Sequence, residues 1–473
     1  MATIRLNFGE WLPDQPAVSG SLSEATNVYP VVNGYAPFPS TVSLGTPASE
    51  ALTNTFTGRY GSAVSMFAGS LSKLYKFNTT TLAYDDISKA GGYTASVLDY
   101  AQYGSVMIVS NGVSKLQAYN LTSSTAFADL SANAPAAKFV TVVRDFVVAG
   151  NVSGFENKLW WSDLNDETNW TPALTSQSDT QIMADGGNIQ AITGGEFGLI
   201  LMDKAIYRMS YTGSPYFFQF DNISRGLGCF EAGSIAQQRN ITYFLSDDGF
   251  YSCDGQTVQG IGNEKVDRFF FKDIGVSNFE SMSAVADPIK KLIIWNYKTT
   301  AGTYAQLIYN WQLQHWSYAK AQITHISEVA SATIALEGLD AYGTVDSIDI
   351  SFDSRFWSAS KLLLSGTVGN NVATLDGASM DGSITTGDIQ MEGQRSVVTM
   401  ARPIIDAGSA NVSIASRPML NSNIAYSVPS TTNSDGRAPL RAAGRYHRIR
   451  VAPTGAWNYA VGVEVDMSSQ GVR

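Results

Sequence analysis

LYKFN at 74–78, LQAYN at 116–120, LWWS at 159–162, IYRMS at 206–210, FYSCD at 250–254 and LIYN at 307–310 are six versions of one pattern. Their aligned positions are Phe77, Tyr119, Trp161, Met209, Cys253 and Tyr309, spaced 42, 42, 48, 44 and 56 residues apart. A compact apolar stretch precedes each: Ser65–Ala68, Val106–Val109, Phe146–Ala149, Leu199–Met202, Tyr243–Leu245 and Leu292–Trp295. A bulky aromatic follows after seven to nine residues in five of the six, at Tyr84, Phe127, Trp170, Phe217 and Trp316. A period near 44 with about four short strands per unit is that of propeller blades.

A unit of this size cannot bury its own apolar face, so stacking against its neighbour is obligatory. The apolar runs have strand length and are too short for helices. Val, Ile, Tyr, Phe and Trp fill them, and these residues suit a pleated, half-buried surface. Asn111-Gly112, Asp185-Gly186-Gly187, Asp248-Gly249 and Asp254-Gly255 punctuate them with residues that tolerate positive φ. No segment longer than two turns carries a helical apolar period. The expected fold class is all-β, a β-propeller of about six blades with an additional C-terminal β-sandwich or barrel domain.

Composition narrows the function. Only 15% of the 473 residues are charged, 11% are aromatic, and the formal net charge is −10. A general nucleic-acid binder is basic, so gripping DNA is not expected. Cys229 and Cys253 are too few for a disulfide framework and read as small buried hydrophobes. MATIRLNFGEW lacks the basic region and apolar core of a signal peptide. No apolar run approaches the ~18 residues that span a bilayer, so no membrane partner is expected.

Four regions follow from these patterns. Residues 1–50 read as an extended N-terminal arm, broken by Pro13, Pro16, Pro30, Pro37 and Pro39. Trp11, Tyr29, Tyr35 and Phe38 make it too apolar for a free tail, so it packs on its own propeller or on a neighbouring subunit. Losing residues 1–40 is then expected to impair assembly and leave the propeller folded. Residues 51–325 are the propeller, and 326–368 a bridging segment containing Ile348-Asp349-Ile350 and Phe356-Trp357. Residues 369–473 form the C-terminal β domain, opening with the small-residue stretch 369–392, also expected at a contact.

The search for chemistry is largely empty. The three histidines, His315, His325 and His447, lack the H-x-x-x-H spacing of a zinc site. No G-x-S-x-G elbow or P-loop is present. Asp85-Asp86 and Asp247-Asp248 point to opposite faces of a strand and read as turn formers. Asp163-Leu164-Asn165-Asp166-Glu167 offers several oxygens but lacks the glycine and distal glutamate of a calcium loop. No catalytic, cofactor or metal residues are assigned, and no enzyme activity is expected. The strongest charge feature is GRAPLRAAGRYHRIR at 436–450, with Arg437, Arg441, Arg445, Arg448 and Arg450. It reads either as a solvated face or as a subunit interface with an acidic neighbour, phosphate contact being disfavoured by the acidic field.

Four stretches resemble the tail nozzle, or packaged-DNA stabilisation, proteins of short-tailed double-stranded DNA phages. They are FGEWLPDQP with LSEATNVYPVVNGYAPFP (22–39), KLWWSDL (158–164) with Asp166, Glu167 and Trp170, KKLIIWNY with QLIYNWQLQHWSYA, and GRYHRIRVAP with WNYAVGVEVDM. The resemblance implies a propeller-bearing subunit of a homo-oligomeric, six-fold tube in the virion, assembled in the bacterial host cytoplasm. Its implied partners are a portal-proximal adaptor, tailspike, fibre or needle proteins, and genomic DNA passing through without sequence-specific binding. It needs no cofactor. An acidic conduit suits that passage, because like charge prevents sticking. The competing expectation is a carbohydrate-binding or carbohydrate-cleaving propeller.

Overall fold

The computed structural model describes residues 2–16, 20–330, 344, 362–391, 394–406 and 408–469. The compact apolar stretches are the second strands of successive four-stranded antiparallel sheets, and the quoted repeats are the third strands. Phe146–Val152 and Gly198–Met202 are buried at every position. A second strand is covered on both faces by the adjoining blades, so its sequence is a continuous apolar run rather than an alternating one.

The blades start with the inner strands Leu52–Tyr60, Asp99–Tyr103, Ala137–Val143, Ile189–Thr193, Ala236–Gln238, Ser283–Asp287 and His325–Ala330. Each seam between them carries its own contact. Phe56 stacks on Tyr100 at 5.0 Å between blades one and two. Ser110 Oγ donates to the Lys138 carbonyl at 2.7 Å, and Asn151 Nδ2 to the Ile189 carbonyl at 2.8 Å. Gln237 Nε2 donates to the Gly194 carbonyl at 3.0 Å, and Trp295 Nε1 to the Ser234 carbonyl at 2.7 Å. The Ile326 N–H donates to Ser283 Oγ at 2.9 Å, and the Ala330 N–H to Thr57 Oγ1 at 3.1 Å. Thr55 and Ser327 hydroxyls also bond across this last seam, which returns to blade one and closes the ring.

The ring is a β-propeller of seven blades, one more than the six repeats. The seventh consists of His325–Ala330, Leu362–Val368, Asn371–Thr374 and, as outermost strand, Val42–Leu44 from near the N-terminus. The segment beginning at 326 is therefore blade rather than bridge where it is described; Ile348-Asp349-Ile350 and Phe356-Trp357 lie outside the described residues. The first half of 369–392 likewise contributes a blade strand. Closing the last blade with a strand from the other end of the chain locks the circle, since opening it requires that strand to detach.

The C-terminal region is a β-sandwich, and the N-terminal region is part of it. One sheet runs Val28–Val31, Gly34–Pro37, Ala460–Ser469, Ser396–Ile405 and Ala438–Gly444, with Ala2–Asn7 also on Ala460–Ser469. The other runs Leu22–Thr26, Ser383–Thr386, Tyr446–Thr454, Ser409–Arg417 and Ser430–Thr431. Leu22–Thr26 also meets the outer strand of blade six, His315–Ala319, through a parallel contact of Thr26 with Tyr318. Blade six and this sandwich sheet thereby form one nine-stranded sheet. The extended arm expected over residues 1–50 is thus four sandwich strands and one blade strand. Trp11, Tyr35 and Phe38 are 3%, 1% and 1% exposed, which makes them core residues of this chain and not subunit contacts.

A helix sits at the junction, Asp267–Ile274, absent from the sequence reading. Its first turn is satisfied from the N-terminal region: Arg268 and Phe269 N–H groups donate to the Asp14 carboxylate at 2.8 and 2.7 Å. Lys265 pairs with Glu10 at 2.6 Å beside it. Phe269 meets Trp11 edge-on at 5.1 Å, and Phe270 meets Phe250 at 4.8 Å. Phe250 in turn packs 4.6 Å from Trp295, which stacks on Trp316. Propeller and sandwich share one apolar core here. Removing residues 1–40 is therefore expected to abolish protease resistance across 383–469 and to lower the melting temperature of the remainder. Limited proteolysis with mass mapping checks this; a truncated chain with an intact, resistant sandwich contradicts it.

Candidate functional site

The arginine stretch divides in two. Arg448 lies on Tyr446–Thr454 and engages Asp388 through two parallel bonds, Nε to Oδ1 at 2.9 Å and Nη2 to Oδ2 at 3.0 Å. A third arginine joins them: Arg417 Nη2 lies 2.5 Å from Asp388 Oδ2. The Asp388 side chain is 4% exposed, so one carboxylate holds two largely buried guanidinium groups. Burying such charges is tolerable only with this pairing and hydrogen bonding. Arg417 Nη1 also donates to the carbonyls of Leu420 and Ser422, fixing the loop that follows.

Arg450 pairs with Glu24 at 3.1 Å and covers the Tyr426 ring at 3.9 Å. Glu24 belongs to Leu22–Thr26, so this contact ties the arginine to the strand shared with blade six. Arg448 thus completes the sandwich from within, correcting its assignment to an intersubunit face, whereas Arg450 is paired within the chain but keeps 38% of its side chain exposed. Sequence reasoning missed Arg417 and Asp388; the isolated aspartate in SITTGDIQ was the available signal, since buried guanidinium groups need a carboxylate.

Arg437, Arg441 and Arg445 are exposed and make no ion pair among the described residues. Arg441 and Pro439 lie on Ala438–Gly444, an edge strand whose strand neighbour among the described residues is Ser396–Ile405. Charge and proline on an edge discourage unwanted strand addition. Arg445 donates its backbone N–H to the Arg417 carbonyl at 3.0 Å, which sets it beside the 418–428 loop. That loop displays Met419, Leu420, Ile424 and Val428, the last 87% exposed. Tyr29 is half-buried under the Lys290 ammonium at 5.1 Å.

The aspartates of the 163–167 loop are occupied by the backbone. Asp163 Oδ1 accepts from the Leu164 and Gln177 N–H groups, both at 2.8 Å, and Oδ2 from Asn169 Nδ2 at 3.0 Å. Asp166 accepts from the Thr168 hydroxyl and N–H, and these bonds hold its carboxyl below the usual range. Among the described residues no three His, Cys, Asp or Glu side chains gather as metal ligands. Cys229 and Cys253 are free and buried, and burial pushes the Cys229 thiol up to about 12.

Among the described residues four carboxyls are shifted the other way, Glu231 among them through burial. Burial pushes Asp99 and Asp267 each up to about 7, and desolvation by surrounding atoms does the same to Glu328 although its side chain stays exposed. Asp99 stitches blades two and three, accepting from the Val140 N–H at 3.0 Å, while Glu328 lies on the inner strand of blade seven. Asp267 accepts from the Phe250 N–H at 3.2 Å, and Gly262 leaves it room, since a Cβ there would stand 2.0 Å from Oδ1. Burial lowers His325 to about 4.

No family model matches the chain, and no curated protein does. Among solved structures it is similar to the extracellular domain of a one component system from B. thetaiotaomicron, at 9% identity and TM-score 0.44. That match covers 78% of this chain and 44% of the other, so the chain spans less than half of that protein. The WD40 domain of Neurospora crassa Pan2 has 8% identity and TM-score 0.41, covering 71% and 95% of the two chains. BamB from Moraxella catarrhalis has 12% identity and TM-score 0.38, covering 79% and 95%. The seven-bladed ring is assigned from its own sheets.

Asp388→Ala leaves two buried guanidinium groups without their carboxylate and is expected to cost about 3–5 kcal/mol in denaturant unfolding. Arg437→Ser, Arg441→Ser and Arg445→Ser should each stay within about 0.5 kcal/mol. Equal effects at all four positions would contradict the division. Stability should also fall from pH 5 to pH 8. A raised carboxyl binds its proton more tightly in the folded state, so its contribution is present below the unfolded pKa and lost as pH rises through about 7. His325 opposes this between about 4 and 6.5. Denaturation midpoints of Asp99→Asn across that range should decline less than those of the parent; parallel curves would remove Asp99 from the account.

Proposed function

We propose that this chain is a structural subunit of the tail nozzle of a short-tailed double-stranded DNA phage. In this reading several copies, six by the resemblance, form a tube below the portal and adaptor. The tube retains packaged DNA, passes it during ejection without sequence-specific binding, and carries spike, fibre or needle proteins. It is assembled in the host cytoplasm and acts in the virion, without enzyme activity or cofactor.

The observation that carries this reading is the displayed face of the sandwich. A loop pinned from beneath by Arg417 holds Met419, Leu420 and Val428 in solvent, beside the exposed Arg445. A fixed apolar surface with a charged border is suited to a protein contact. Its arginines complement a subunit of net charge −10. The union of propeller and sandwich by a common sheet further suits a load-bearing wall. The carbohydrate reading draws less support, because Trp11, Trp161, Trp170, Trp295, Trp316 and Trp457 are buried, and the exposed rings, such as Tyr60, Tyr216 and Tyr459, stand apart along the chain.

Sedimentation of the purified protein, with negative-stain imaging, tests the proposal. The expected result is a ring or short tube in equilibrium with monomer, weakened by joint replacement of Met419 and Val428 with Ser and by Arg445→Ser. A protein that stays monomeric at every concentration and turns over host glycan contradicts it.

A further inference from the structure

A cleft of about 440 Å³ opens where the N-terminal strand, the 31–34 hairpin and the outer turn of blade six meet. Its volume lies within the range of small-molecule sites, which favour such junctions between domains. Arg5, Asn7 and His315 line it together with Val31, Leu313 and Val461. Arg5 stands opposite Glu464 in the strand pairing, yet makes no ion pair with it; Glu464 lies 3.9 Å from Arg402 instead. The only side-chain bond of Arg5 runs from Nε to Asn7 Oδ1 at 3.2 Å, which leaves both terminal nitrogens free among the described residues. The His315 ring has no hydrogen-bond partner among them either. Two donors that can carry positive charge therefore border one side of a cavity whose other side is hydrocarbon.

We propose that this cleft binds a small ligand bearing one carboxylate and an apolar body. The guanidinium fork matches a carboxylate in shape and charge, and His315 supplies a further N–H donor. Val31, Leu313 and Val461 receive the apolar portion. A free phosphate suits the site less, because half of the lining offers it no donor. The assignment does not depend on the phage reading, as it uses only groups within one chain.

Proton NMR of the full chain, following the His315 ring, tests this with two probes. N-acetyl-leucine carries the carboxylate; N-acetyl-leucinamide has the same body without it. His447 is wholly buried and serves as the internal reference. The expected result is a saturable shift of His315 by the acid in the millimolar range, none by the amide, and no change at His447. Arg5→Gln should weaken the acid's binding by about tenfold, the loss of one charge-assisted contact. Arg5 is exposed, so an unchanged melting temperature is expected of the variant. An unmoved His315 at the acid's solubility limit, an equal response to the amide, or an undiminished response in Arg5→Gln would each overturn the proposal.

Discussion

The whole molecule depends on the pairing of N-terminal strands with partners nearly three hundred residues away or more. Val42–Leu44 supplies the outer edge of blade seven, and Leu22–Thr26 stands between blade six and the sandwich. Neither sheet is complete without these short segments. Each blade is stable only when both neighbours are present, so a missing edge in blade seven weakens the ring beyond its own few hydrogen bonds. Bringing such distant segments together has an entropic cost that grows slowly with length, which the shared core around Trp11 and Trp295 offsets. The same topology makes folding slow, because these contacts form only after the chain between them has organised.

Much of the propeller was legible in the sequence. Second strands covered on both faces must be apolar throughout, and Phe146–Val152 and Leu292–Lys298 announce this directly. The seventh blade was illegible for a physical reason: its outermost strand comes from residues 42–44, and no closing aromatic follows Asn371–Thr374. The helix Asp267–Ile274 was hidden similarly. It is only eight residues long, about two turns, too short for a helical period to stand out in the sequence, and its N-terminal donors are satisfied by Asp14 from a remote loop. The N-terminal aromatics signalled burial correctly; what the sequence left open was whether their cover came from the same chain.

The candidate site divides along the same line. Local charge density picked out Arg437–Arg450, but only tertiary pairing separates Arg448 and Arg450, which hold the sandwich together, from Arg437, Arg441 and Arg445, which face solvent. Arg417 and Asp388 are unremarked in sequence because each stands apart from other charges. Their pairing uses electrostatics to fix structure, and Arg417 also bonds the carbonyls of Leu420 and Ser422 in the exposed apolar loop that follows.

Hydrogen exchange resolved by segment tests the central claim most directly, that the N-terminal strands are integral to both sheets. Bonded amides in Leu22–Thr26 and Val42–Leu44 should be released only with the cooperative unfolding that frees Leu292–Lys298, at the same free energy. Release of these two segments at far lower free energy, with blade six still protected, would show a detachable arm and contradict the account.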